Sequence, residues 1–205
     1  MQRWQLSLLK AFVWLACLAP FALLAARTAG LAGGLGADPV AEVLDTLGKT
    51  GLNLLLITLA VTPVRILTGL NLVARLRRLL GLFAFFYIAM HFTAFVWLDL
   101  QLAWGMIAGE IVLRPFITVG MIALLLLIPL AVTSTRGMQR RLGRKWVSLH
   151  RLVYPIAILG VWHYWWQVKA DTREALVYIG ILAALLGYRV FRSWQRQQRR
   201  RASTS

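Results

Sequence analysis

Histidine is scarce in this 205-residue chain: His91, His150 and His163 are the whole complement, and each lies in or at the edge of a strongly apolar segment. An imidazole inside a lipid-spanning helix is costly unless a partner takes it up. Imidazole nitrogen is also a common axial ligand of haem iron. His150 and His163 are 13 residues apart, about 20 Å along an α-helix and most of the hydrocarbon thickness of a bilayer. That spacing suits two redox centres stacked across a membrane.

The elements that must hold these side chains follow from composition. The chain is 60% hydrophobic with a mean hydropathy of +0.69, far too apolar for a soluble domain of this size. Uncharged apolar stretches predict spans over approximately 9–27, 48–65, 79–98, 115–135, 149–168 and 174–191. The chain therefore reads as one all-α transmembrane domain over 1–205, an integral membrane six-helix bundle with a basic tail over 192–205. The second and last stretches are short, so flanking Lys and Arg snorkel to the interface.

Charge orients the bundle. Eighteen of the 23 basic residues fall at the N-terminus, in 65–78, in 136–151 and in the tail, while all seven acidic residues lie in the alternate loops. By the positive-inside rule both termini are cytoplasmic. The net charge of +16 is then a topology signal, with some basic surface touching anionic membrane lipid. No soluble domain is available to carry a nucleic-acid partner.

Depth sorts the histidines. The third span runs outward from Leu79, which puts His91 about 18 Å along it, and the fifth puts His163 about 21 Å from Leu149. The two imidazoles sit at matching depth on parallel helices, the arrangement of a bis-histidine haem bridging two helices. His150 lies near the inner face, and the matching position on the partner helix is Arg78. An inner haem would have His150, a weaker or open sixth position, and Arg77 or Arg78 near its propionates. For His150 alone, a headgroup or carbonyl contact is the more ordinary role. On a straight helix His150 and His163 would point about 140° apart, so a shared seam requires a kink at Pro155. Phe85, Phe86, Tyr87, Phe92, Phe95, Trp162, Tyr164, Trp165 and Trp166 can pack a porphyrin, although aromatic-belt anchoring explains Trp165 and Trp166 better.

Other chemistry is missing. No Walker loop or G-x-G-x-x-G opens a βαβ unit, no span carries a string of carboxylates, and no internal repeat is evident. Electrons must come from another protein or a membrane carrier. Residues 1–30 would also fit a cleavable signal peptide, but without a clean cleavage site a retained first helix is preferred. Cys17, the single cysteine, reads as a small packing residue.

The runs TPVR (62–65), RRLLGLFAFFYIAMHF (77–92), PLAVTS (129–134) and RLGRKWVSLHRLVYPIAILGVWHYWW (141–166) resemble the MsrQ (formerly YedZ) family of the ferric reductase-like transmembrane superfamily, over nearly the whole chain. The resemblance implies a six-span subunit of the bacterial inner (cytoplasmic) membrane that binds haem b, one copy or two. It implies delivery of electrons to a periplasmic molybdopterin partner, an MsrP-like methionine sulfoxide reductase. It further implies FMN as a cofactor, with quinol or a cytosolic flavin reductase as electron donor. His91, His150 and His163 match the family's haem ligands. The loops Arg75–Arg78 and Arg136–Lys145 are the candidate phosphate contacts. The chain is thus expected to be an electron-transfer subunit with no catalytic residues of its own. The alternatives are a stand-alone quinol- or metal-reducing cytochrome b, and a cofactor-free transporter or scaffold.

Overall fold

The computed structural model describes residues 3–168 and 171–202. Among them every regular element is helical. Helix α1 spans Arg3–Thr28, α2 Pro39–Thr68 and α3 Arg77–Ala94, the last continued by one π-helical turn, Phe95–Asp99. A short α4 (Trp104–Leu113) leads into α5 (Pro115–Val132), followed by two helices of seven residues each, α6 (Arg136–Leu142) and α7 (Arg144–His150). The chain ends with α8 (Val153–Gln167) and α9 (Arg173–Ala202). Lys169 and residues 203–205 of the basic tail lie outside the described residues.

Local chemistry sets the boundaries. Asp38 caps α2, its carboxylate accepting from the Ala41 N–H at 3.0 Å, with Pro39 in the first turn where its missing N–H costs nothing. Gly69, at φ +71°, closes the same helix by donating to the Arg65 carbonyl. Pro115 starts α5, and Thr135 caps α6 through a bond from Met138 N–H. Gly143 (φ +50°) turns the chain between α6 and α7.

Five helices are long and apolar enough to cross a bilayer: α1, α2, α3 with its π-turn, α5 and α9. The multi-pass membrane character is clear from these. The fifth expected span differs in construction. The helix breaks at Arg151–Leu152, leaving α8 with 15 residues, about 22 Å of rise. Pro155 falls in the first turn of α8 and starts a helix there; it does not kink a continuous one. At the other end of the chain, α9 continues as helix through Ala202, so the tail is not loose coil up to that residue.

Burial shows which helices form the interior. Half of the α2 span is buried but only 11% of α1 and 17% of α9, so α2 is the central post and α1 and α9 lie at the periphery. The outward surface carries Phe12, Leu15, Leu125, Val177 and many other large apolar residues, the inverse of a soluble protein. Small residues allow close helix contacts: Ala84, Ala157 and Ala175 are wholly buried, and a Cβ at Gly51 would sit 2.7 Å from Ile88 on α3.

Polar contacts tie the outer helices on. Arg189 of α9 donates to the Leu59 carbonyl of α2 and rests 5.5 Å from the Tyr154 ring centroid of α8. Tyr87 of α3, fully buried, reaches into α1. Its hydroxyl donates to the Cys17 carbonyl (2.6 Å) and accepts from the Phe21 N–H (3.0 Å), two groups at the spacing of a helical hydrogen bond. Pro20 lies between them in α1. Cys17 is buried in this contact, as a packing residue would be.

Candidate haem-binding centre

The fold brings His91 and His163 together. Their ring centroids are 6.2 Å apart and the planes cross at 80°. Two imidazoles on one iron, with metal–nitrogen bonds of about 2 Å, have centroids about 6 Å apart. Each ring is held through the same nitrogen. His91 Nδ1 lies 2.9 Å from the Leu44 carbonyl of α2, and His163 Nδ1 lies 2.7 Å from the Phe116 carbonyl of α5. A carbonyl can only accept, so Nδ1 carries the proton in both rings and Nε2 is left with its lone pair for a metal.

Glycine makes room for each ring. A Cβ at Gly48 would stand 3.0 Å from His91 Nδ1, and one at Gly120 only 2.8 Å from His163 Nδ1. The two halves correspond at a constant offset of 72 residues: Leu44 with Phe116, Gly48 with Gly120, Leu52 with Leu124, His91 with His163. The pair α2–α3 therefore repeats as α5–α8, an internal relationship that the sequence reading did not register. A histidine following a glycine by 43 positions, twice, is the signal that could have revealed it.

Both rings line a cavity of about 400 Å³, mostly apolar, with Leu52, Leu55, Phe92, Phe95, Met121 and Leu124 among its walls. A volume of that order is ordinary for a cofactor site. The donor set, with Nε2 of each ring left for a metal, and the apolar walls fit a haem. Of the expected aromatic packers, Phe92, Phe95, Tyr164 and Trp166 line this cavity. Phe86 and Tyr87 instead pack towards Phe21 and Cys17 of α1, and Trp162 and Trp165 are 46% and 38% exposed. Those four positions are therefore not part of this cavity's lining.

His150 is placed apart from the pair, in a second cavity of about 460 Å³ near the basic end. Arg77, Arg78, Gln139, Trp146 and Arg151 share its lining. Arg75, Arg136, Arg140, Arg141, Arg144 and Lys145 do not line it, so of the two expected phosphate-binding loops only part of each reaches the cavity. The Trp146 ring stacks on His150 at 3.9 Å, its indole N–H donating to the Thr133 carbonyl at 2.9 Å, which fixes α7 beneath the end of α5. His150 Nδ1 donates to the Trp146 carbonyl at 3.1 Å. The offset of 72 pairs His150 with Arg78, so an imidazole and a guanidinium-bearing residue at corresponding positions both line the second cavity. Leu55 lines both cavities, which are thus neighbours along α2.

Comparison with known proteins gives the same outline. The family model of the ferric reductase like transmembrane component matches residues 47–161. The chain is 57% identical over 169 residues to the protein-methionine-sulfoxide reductase heme-binding subunit MsrQ of Xanthomonas campestris pv. campestris (strain 8004), covering 82% of this chain and 76% of that protein. It is 52% identical over 198 residues to MsrQ of Xanthomonas euvesicatoria pv. vesicatoria (strain 85-10), covering 95% and 89%. With MsrQ of Rhodospirillum rubrum it shares 51% identity over 191 residues, covering 93% and 91%. No solved structure matches.

Proposed function

This chain belongs to the ferric reductase-like transmembrane family and, within it, to the haem-binding MsrQ subunits, and from that premise we propose that it is the electron-carrying membrane subunit of a methionine sulfoxide reductase system. In this reading it takes electrons at the cytoplasmic side, from quinol or a flavin reductase, and hands them to a periplasmic MsrP-like molybdoenzyme. The observation that supports it best is the paired placement of His91 and His163, each with Nδ1 held by a backbone carbonyl and Nε2 free.

In this account His91 and His163 hold haem b between α3 and α8, and the bound haem supplies one-electron chemistry. Leu44 and Phe116 fix the tautomer and ring orientation through their carbonyls. Gly48 and Gly120 let the rings seat against α2 and α5. The apolar walls exclude water and lower the local dielectric. At the inner cavity His150, stacked on Trp146, and the cations Arg77 and Arg78 would hold a second planar, anionic cofactor: a further haem, or the FMN that the family associates with these proteins. α8 serves as the sixth crossing, its length made up by α7 at the interface, with both termini cytoplasmic in the inner membrane.

Transfer to the partner is tested with the detergent-purified, dithionite-reduced protein. A purified MsrP-type enzyme should reoxidise it at a rate set by partner concentration. Reoxidation indifferent to the partner, or equally fast with an unrelated acceptor, would favour a stand-alone quinol- or metal-reducing cytochrome. A colourless protein would favour a cofactor-free transporter or scaffold.

A further inference from the structure

The polar end of the outer cavity is not occupied by the two imidazoles. Its walls are apolar along α2, α3, α5 and α8, but the rim at the acidic end carries Asp45, Lys49, Asp99, Arg114 and Gln167. Lys49 and Arg114 are its cations. Both are tied to the elements that seat the histidines: Lys49 adjoins Gly48, beneath His91, and Arg114 precedes by two residues the Phe116 whose carbonyl holds His163. We infer that Lys49 and Arg114 are the propionate anchors of the haem held by His91 and His163, a role that rests on the haem reading above.

The two cations reach that role differently, Lys49 by its charge and Arg114 by donors left over. The Lys49 ammonium has three N–H groups. One lies 2.8 Å from Glu174 on α9, another 3.2 Å from Asp45, and a third meets the Tyr164 hydroxyl, so what Lys49 brings to the cavity is its charge, held beside Tyr164. Arg114 meets Glu110 through Nε at 2.5 Å, and its two terminal nitrogens have no ion-pair partner among the described residues. A haem seated between the two imidazoles has two carboxylates to place. An apolar wall would leave them unpaired and buried, which desolvation strongly disfavours. The rim is where this cavity offers them charge-assisted donors. Lys49 lies 5.7 Å from the Tyr164 ring centroid, itself part of the cavity lining, so its head group stands against the haem compartment and not out in the loop. Asp45 and Asp99 at the same rim oppose a propionate, which makes the two cations necessary for holding both carboxylates ionised.

The test is a redox titration followed by visible spectrum in the full-length, haem-loaded protein, comparing Lys49→Gln, Arg114→Gln, the double variant and Glu174→Gln over a range of pH. Removing a positive charge beside a propionate stabilises the ferric state. Each cation variant should therefore keep the wild-type spectrum but show a lower midpoint potential, with a new pH dependence as the unpaired propionate titrates. The double variant should shift furthest. Glu174→Gln keeps both cations and removes a carboxylate, so its potential should not fall. Where Lys49→Gln loses haem, Lys49→Arg should restore it; loss in both variants overturns the assignment. Wild-type potentials in both cation variants would overturn it, as would equal downward shifts in Lys49→Gln and Glu174→Gln, the mark of a strut between α2 and α9. A wild-type protein without haem overturns this inference together with the reading beneath it, whereas unchanged potentials overturn this inference alone.

Discussion

His91 and His163 stand 6.2 Å apart, centroid to centroid, although 72 residues separate them in the chain. Neither ring chooses its orientation freely. Each is fixed by a carbonyl 47 positions earlier and seated over a glycine four residues beyond that carbonyl. The centre is therefore built by two copies of one helix–helix contact, and most of its testable consequences come from that construction.

Filling either glycine should disturb its ring. At Gly120 an added methyl would fall 2.8 Å from His163 Nδ1, against 3.0 Å from His91 Nδ1 at Gly48. Overpacking of this sort costs about 1–3 kcal/mol. Gly120→Ala should lower haem content and thermal stability, with Gly48→Ala showing the milder loss. Haem content by pyridine haemochrome and melting in detergent check both; wild-type values for Gly120→Ala would mean that the ring has slack to move.

Tyr87 offers a contrast, since it lies on α3 with its hydroxyl turned to α1, away from the haem compartment. Tyr87→Phe removes a donor to the Cys17 carbonyl and an acceptor for the Phe21 N–H inside an apolar contact. A loss of roughly 1–2 kcal/mol is expected, read as a lower melting temperature with an unchanged visible spectrum. A spectral change would show that α1 helps to shape the haem site.

Part of this was legible in the sequence. Three histidines among apolar runs, two at equal depth, are enough to pair His91 with His163, because imidazole is rare and helix rise is constant. The carbonyl acceptors were not legible, since every residue has a carbonyl and only the packing register of α2 on α3 and α5 on α8 chooses Leu44 and Phe116. The break at Arg151–Leu152 was hidden too. No glycine marks it, and Pro155 drew attention as a kink when its place in the first turn of α8 makes it a start. The consequence matters: His150 belongs to α7, so the angular conflict with His163 on a single straight helix does not arise.

Topology is read from charge, and it sets which cavity faces which compartment. Reporter fusions after Ala202 should be active only in the cytoplasm. A periplasmic C-terminus would reverse the two cavities and remove the argument for an outward-facing haem.

The acidic face is less charged in effect than its composition suggests. Glu42 pairs with Arg27, Asp45 and Glu174 with Lys49, and Glu110 with Arg114. Asp99 has no ion-pair partner among the described residues, so it is the better candidate for steering a partner. Asp99→Asn should slow reoxidation by the MsrP-type enzyme at low salt and flatten the salt dependence, with haem content unchanged. Glu110→Gln alone should do less. Equal effects from the two would contradict the steering role assigned to Asp99.

The central claim, one iron held by His91 and His163, is tested most directly by the electron paramagnetic resonance spectrum of the ferric protein. Rings crossing at 80° predict a strongly anisotropic low-spin signal of a bis-histidine haem with nearly perpendicular imidazoles. His91→Ala and His163→Ala should each abolish that signal, while His150→Ala should leave it in place. A wild-type low-spin signal surviving in either of the first two variants would contradict the account.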